Sequence, residues 1–383
     1  MDFAWSEEQL ELRRAVIEFA RQALNTGFSG RERAGEFSRE AWRECANFGI
    51  QGMPVSEQFG GTGRDPLTTM CAMEALGYAC RDQGLLFSLH AQMWAIEMPL
   101  LKFGTPGQQQ RYLPGLCSGA LIGAHGISEP DSGSDAFAMR SRAERHGDVY
   151  RLNGSKTFVT NAPAADVFVV FASVDPKKGM WGVTGFILEK GMKGLSVGPK
   201  LDKMGLTTSP TSEIFLEDCE VPVENMLGRP GQGSAIFNYA MSWERSCILA
   251  STVGAMEFEL ETCLSYAKSR KQFGKSIGSF QLIAAKIADM KVRLETCKLL
   301  LYRAAWAFAN GDPNGLEGAI AKLSISEAAV ASSLDAIQIH GGYGYMREYE
   351  MERHLRDNVA AKLYSGTSEI QRLIVARHLG LTP

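Results

Sequence analysis

No two cysteines of the 383-residue chain lie closer than Cys71 and Cys80, so CxxC redox and metal motifs are excluded. The others (Cys45, Cys117, Cys219, Cys247, Cys263, Cys297) are as scattered, and all eight read as small buried thiols of a reducing compartment. Charge of one sign is missing too. Forty Lys+Arg against 43 Asp+Glu give −3 with no basic block, which argues against a partner bound by phosphate neutralisation, such as nucleic acid. The most apolar stretches, Gly84–Ile96 and Ser246–Met256, fall short of the roughly 20 residues that span a bilayer. The N-terminal stretch holds Asp2, Glu7, Glu8 and Glu11 and no apolar core, so it reads as structure rather than a secretory signal, and a cytoplasmic location is expected. There is no GxGxxG, because Gly231-Gln232-Gly233 and Gly342-Tyr343-Gly344 are not followed by the third glycine, and no GxxxxGK[ST], HExxH or GxSxG. With the six histidines dispersed, Rossmann, metal and serine-hydrolase chemistry lose support, and no metal site is expected.

What is present is enough apolar residue (45%) to fill sizeable cores over two or three domains. Residues 1–118 read as helices. Ser6 and Gln9 have capping-box spacing, Ser38 can cap a helix carrying Trp42, Cys45 and Phe48, and Gly49 can stop it. QFGGTGRDP (58–66) breaks into a loop before further helices that run from Pro66 to Leu116. Residues 119–226 change to strand-length runs (149–152, 156–160, 167–174, 183–188, 213–216), and Asn153-Gly154 is the strongest hairpin signal among them. Residues 227–383 return to long helices, roughly 236–270, 280–309, 316–339, 350–364 and 368–379. Apolar residues on several faces near Leu299–Trp306 call for partners on several sides, including another subunit. The expected class is α+β: an N-terminal helical domain, a small, mostly antiparallel, barrel-like β domain, and a long four-helix bundle.

Six longer segments stand out: ISEPDSGSD (127–135), NGSKTFVTN (153–161), KMGLTTSPTSEIFLEDCEVPVENMLG (203–228), YAKSRKQFGKSIGSFQ (266–281), QIHGGYGY (338–345) and SGTSEIQRLIVAR (365–377). In this order, over essentially the whole chain, they resemble the acyl-CoA dehydrogenase family. The resemblance implies FAD. It assigns Ser128 and Ser134 to the flavin and thioester ends of the first loop, and Phe158 and Thr160, alternating on one strand face, to the isoalloxazine. Phe158 stands where relatives usually carry Trp. Arg270, Gln272 and Phe273, with Gln281 nearby, would reach the FAD of a neighbouring subunit, and Gln338, Gly342, Thr367 and Glu369 would hold the rest of its adenosine-phosphate half. A shared cofactor requires a homo-oligomer, a tetramer built as a dimer of dimers or a dimer.

Removing an α-proton needs a carboxylate. Most relatives have Glu directly before the last GT, where this chain has Ser365, a hydroxyl without useful basicity whose removal should be mild. Met241-Ser242-Trp243-Glu244-Arg245 supplies the replacement, because a minority of the family, similar to isovaleryl and long-chain enzymes, carries its base on this helix as a Glu-Arg pair. Glu244 is the expected base and Arg245 a structural neighbour. The backbone N–H of Ser365 is expected to meet the thioester oxygen.

The expected activity is α,β-dehydrogenation or oxidation of an acyl thioester, with oxygen or an electron-transfer flavoprotein as acceptor. CoA-ester enzymes usually have Asp where this chain has Ser242 and Arg where it has Thr207. With both charges gone, the chain looks like the branch that oxidises prolyl groups tethered to a peptidyl or acyl carrier protein in natural-product pathways. The alternatives are a short- or branched-chain acyl-CoA dehydrogenase, a flavin monooxygenase or N-hydroxylase on the same scaffold, and a non-catalytic helical scaffold without FAD.

Overall fold

The computed structural model describes residues 4–311 and 315–382, and Asp2 of the acidic N-terminus lies outside them. Helix α1 (Glu7–Phe19) starts at the expected capping box, in which Ser6 and Gln9 each accept the other's backbone N–H through their side chains. Helix α2 (Phe28–Ala34) follows. Ser38 caps α3 (Arg39–Phe48), which stops at Gly49 in the left-handed region, φ 92°. The 58–66 segment is irregular apart from one 3₁₀ turn ending at Phe59, and Asp65 caps α4 (Pro66–Ala79). Helices α5 (Gln83–Gln92) and α6 (Met98–Phe103), joined by a π-helical turn, and α7 (Pro106–Cys117) complete this layer.

The sheet comprises β1 (Gly123–Gly126), β2 (Arg142–His146), β3 (Val149–Thr160), β4 (Val167–Ser173), β5 (Val183–Glu189), β6 (Leu195–Val197), β7 (Thr211–Pro222) and β8 (Met226–Leu227). Its order is β6-β7-β3-β2-β4-β5-β8, with β1 parallel to β4 and most other pairs antiparallel. The Asn153-Gly154 hairpin is not there. Strand β3 runs straight through it, the register against β7 slipping by a bulge between Leu152 and Gly154. Gly154 is needed because a Cβ there would stand 2.3 Å from the Ser141 hydroxyl. The real turn is Gly147-Asp148, with Gly147 at φ 62° and His146 opposite Val149.

The predicted 236–270 helix is two: α8 (Gly233–Cys247) and α9 (Ala250–Ser269), parted at Ile248-Leu249 without Gly or Pro. A short two-stranded ribbon, β9 (Lys271–Gln272) and β10 (Lys275–Ser276), precedes α10 (Gln281–Ala309), α11 (Leu316–His340), α12 (Met351–Ala360) and α13 (Ser368–His378). The 350–364 prediction thus overruns: α12 stops at Ala360. Helices α4 and α9 touch backbone to backbone, since a Cβ at Gly77 would lie 2.0 Å from the Ser251 carbonyl and one at Gly254 1.9 Å from that of Glu74. This fixes the start of α9, just beyond Glu244, on the N-terminal helices. Polar contacts also join all three parts: Arg353 donates to the Arg81 carbonyl at 2.7 Å, Asp357 accepts from the Leu206 N–H at 2.6 Å, and Thr208 donates to Asp82.

All eight cysteines are buried and free. Among the described residues no helix is long and apolar enough to cross a membrane, and no His/Cys/Asp/Glu cluster could hold a metal.

Candidate active site

Helix α8 buries Glu244 to 7% exposure. Beside it Trp243 stacks on Trp94 of the π-helical turn, centroids 5.6 Å apart and planes 3° apart, and meets Phe308 at 4.0 Å, which fixes the rotation of the helix. The Glu244 carboxylate faces the turn before α13, where the Ser365 hydroxyl donates to Oε2 at 2.5 Å. Burial pushes the Glu244 carboxyl up to about 7, against the Ser365 bond and the positive charges of Arg245 and Lys322. A carboxylate titrating near neutrality in an apolar setting is suited to take a proton and give it up again.

Ser365 sits at φ 54°, a left-handed conformation unusual for a residue with a side chain, followed by Gly366 at 89°. Several bonds hold it there. The Ser365 carbonyl accepts from Arg245 Nε at 3.4 Å and Gln371 Nε2 at 3.2 Å, while the Gly366 carbonyl accepts from Lys322 Nζ at 2.6 Å and Gln371 Nε2 at 2.9 Å. The expectation that removing the Ser365 side chain is mild meets a hydroxyl bonded to the candidate base. Lys322 and Gln371 were not among the sequence candidates. A lone lysine in the alanine-rich run of α11 was the available signal for the first, and α13 offered none for the second.

Thr367 caps α13 by accepting the Ile370 N–H at 3.3 Å, and Glu369 is exposed in the first turn. Ser242 turns its hydroxyl back to the Asn238 carbonyl at 2.9 Å. Ser128 and Ser134 lie in the β1–β2 connection, half-buried and exposed respectively. Phe158 and Thr160 flank a buried Val159, but not on regular strand backbone. Phe158 is at φ 56° within a second register slip of β3, which swings its ring outward to 71% exposure, while Val159 is buried and Thr160 half-buried.

A second group gathers elsewhere. Arg270, Gln272, Gly341, Gly342 and Tyr343 line a cleft of about 480 Å³ between the β9–β10 ribbon and the end of α11. Phe273-Gly274 (φ 51° and 78°) forms the ribbon's turn and leaves the Phe273 ring 93% exposed. Arg270 lies over the Tyr343 ring at 5.5 Å. Gln281, opening α10, and Gln338, in the last turn of α11, are exposed. A guanidinium, side-chain amides and a glycine backbone at φ 61° are a donor set that fits a diphosphate. The candidates thus fall into two groups: one around Glu244, Ser365 and Thr367, and one around Arg270 and Gly342.

Three family models match the chain. Those described as the N-terminal, middle and C-terminal domains of acyl-CoA dehydrogenase match residues 6–120, 124–219 and 231–380. An L-prolyl-[peptidyl-carrier protein] dehydrogenase of Pseudomonas fluorescens is 41% identical over 382 residues, all of both chains. Among solved structures, the prolyl acyl carrier protein oxidase AnaB superposes with a TM-score of 0.98 at 48% identity, covering 99% of this chain and 100% of the other. PigA, solved with FAD and proline, superposes with a TM-score of 0.97 at 43% identity over the whole of both chains. With all three domain models matched and full-length relatives at this identity, the chain belongs to the acyl-CoA dehydrogenase family.

Proposed function

We propose that the protein is an FAD-dependent oxidoreductase that dehydrogenates a prolyl group held as a thioester on a carrier protein, with Glu244 as base. The observation that carries the reading is the buried Glu244 carboxylate, poised near neutrality and oriented by Ser365. FAD, held by the residues assigned below, would supply the acceptor for the β-hydrogen as hydride. Glu244 takes the α-proton, acidified by the thioester carbonyl. Ser365 holds Oε2 so that the other carboxylate oxygen stays free for that proton, and the Trp243 stack keeps bulk water away. The Ser365 backbone N–H is assigned to the thioester oxygen, Ser134, Ser242 and Arg245 to the substrate path, and Ser128, Phe158, Thr160, Thr367 and Glu369 to the flavin side. Arg270, Gln272, Phe273, Gln281, Gln338 and Gly342 are assigned to the diphosphate and adenosine of a neighbour's FAD, which makes a homo-oligomer the working unit. Val292, Leu299 and Trp306, seven residues apart on α10 and more than half exposed, supply an apolar stripe for self-association. The carrier reading is supported by two neutral side chains. Ser242 bonds its own helix and Thr207 donates to the Glu32 carbonyl, so neither offers a charge to a nucleotide end.

The test is flavin bleaching under anaerobic conditions. Prolyl-carrier protein is expected to bleach the flavin fast, and bleaching by butyryl- or isovaleryl-CoA with none by the carrier substrate would replace the reading with a short-chain acyl-CoA enzyme.

Two further outcomes are expected. Arg270→Ala should weaken FAD retention by about 10- to 100-fold, the worth of a charge-assisted phosphate bond, read as the flavin-to-protein absorbance ratio after dialysis. Ser365→Ala removes a bond to the charged form of Glu244 and so raises its pKa further. Activity needs the carboxylate ionised, so the acid limb of the kcat/KM profile, near pH 7 in the parent, should move to higher pH while FAD content stays unchanged.

A further inference from the structure

We infer that the β4–β5 turn and the segment leading into α8 form the docking surface for the acidic carrier protein that delivers the substrate. The inference rests on the carrier-thioester reading above. The turn is Asp175-Pro-Lys-Lys-Gly-Met-Trp-Gly182. Asp175 organises it, its carboxylate accepting from the Lys177 N–H at 3.1 Å and its carbonyl from the Lys178 N–H at 3.1 Å. Gly179 reverses the chain at φ 54°. Gly182 packs so tightly that a Cβ would stand 2.0 Å from the Asp175 carbonyl oxygen. This well-pinned turn holds Trp181 out at 68% exposure and Met180 at 37%, with Lys177 and Lys178 exposed on the same few residues.

The approach to α8 lies against it. The Gly231 N–H donates to Thr184 Oγ1 at 2.9 Å, and a Cβ on Gly231 would be 2.4 Å from the Trp181 carbonyl oxygen. Exposed Arg229 is two residues away. Exposed Lys177, Lys178 and Arg229 thus lie on the two segments that meet at Trp181, with Lys178 paired to Asp175 at 3.5 Å and Lys177 and Arg229 as the further cations, on a chain whose overall charge is −3. Local cations on a net acidic protein steer an acidic partner to one place, and a rigid exposed tryptophan is the kind of side chain that anchors an interface. An isologous contact between two copies of this patch would set cation against cation. The apolar stripe of α10 lies on a different helix.

The patch is also the right distance from the chemistry. Helix α8 begins at Gly233 and carries Glu244 eleven residues on, about 16 Å along the axis at the rise of an α-helix. That is comparable to the span of an extended phosphopantetheine arm. The arm of a carrier seated on Trp181 would have to follow α8 to bring the thioester to Glu244.

The test compares the FAD-loaded parent with Lys177→Glu/Lys178→Glu and with Trp181→Ala, using prolyl-loaded carrier protein and the small prolyl-pantetheine thioester as parallel substrates. Each variant is expected to lose about tenfold or more in kcat/KM for the carrier substrate at low ionic strength and to keep its rate with the small thioester. The charge-reversed variant should also lose the salt dependence of the parent. Carrier kinetics unchanged in both variants would overturn the assignment, as would equal losses with both substrates or a changed oligomeric state in solution. A parent bleached by neither substrate would sink the thioester reading itself, and the docking surface with it. One bleached by the small thioester alone would sink the docking surface and leave the chemistry.

Discussion

Glu244→Gln should lower flavin reduction by substrate by about 10²- to 10⁴-fold, the usual contribution of a positioned general base, while FAD stays bound. The amide keeps the shape of the carboxylate and can accept the Ser365 hydroxyl, but it cannot take a proton. The same variant has a stability signature. Burial raises the Glu244 carboxyl from 4.5 to about 7, so the folded state holds its proton more tightly than the unfolded chain does. Its contribution to stability is full below about pH 4.5 and is lost as pH rises through about 7. The uncharged amide of the variant escapes that loss. The melting temperature of the variant relative to the parent should therefore increase between about pH 5 and about pH 8, whereas a constant difference would mean that Glu244 is ionised in the fold throughout this window.

Glu129→Ala should cost about 3–5 kcal/mol of stability, as expected when one partner of a buried ion pair is removed. Glu129 is 6% exposed and accepts from Lys156 Nζ at 2.7 Å and from the backbone N–H groups of Arg140 and Ser141. Lys156 is wholly buried, and its ammonium would be left with the Ile127 carbonyl at 3.3 Å. Glu129→Ala/Lys156→Met should recover much of the loss, because no charge is then stranded. Denaturation midpoints of the FAD-loaded proteins give the comparison, and a double variant no better than Glu129→Ala would place the whole loss in the two backbone bonds.

Features written in local chemistry were legible in the sequence. The Ser6 capping box, the Ser38 cap and the Gly49 stop are settled within a few residues of chain, and each stands where expected. Asn153-Gly154 misled because the turn propensity of the pair yields to β7, which pairs along both sides of it, and to Ser141, which leaves room only for glycine. The break at Ile248-Leu249 carries no Gly or Pro, and both residues are buried, so tertiary packing decides it. Phe158 shows the same limit, since strand alternation cannot anticipate a residue at φ 56°. At the site, Glu244 and Ser365 could be paired by reasoning about which carboxylate was missing. Their hydrogen bond could not, because it spans 121 residues and depends on a backbone held left-handed by Arg245, Gln371 and Lys322.

The 2.5 Å contact between residues 365 and 244 also bears on how the base can change places within this fold. A glutamate at 365 would come within hydrogen-bonding reach of Glu244. Two carboxylates that close in an apolar pocket share a proton instead of both ionising, so the pair would titrate as one acid and one base, with separated apparent pKa values. A chain carrying both carboxylates would keep one negative charge shared between α8 and the turn before α13, with one of the two groups protonated.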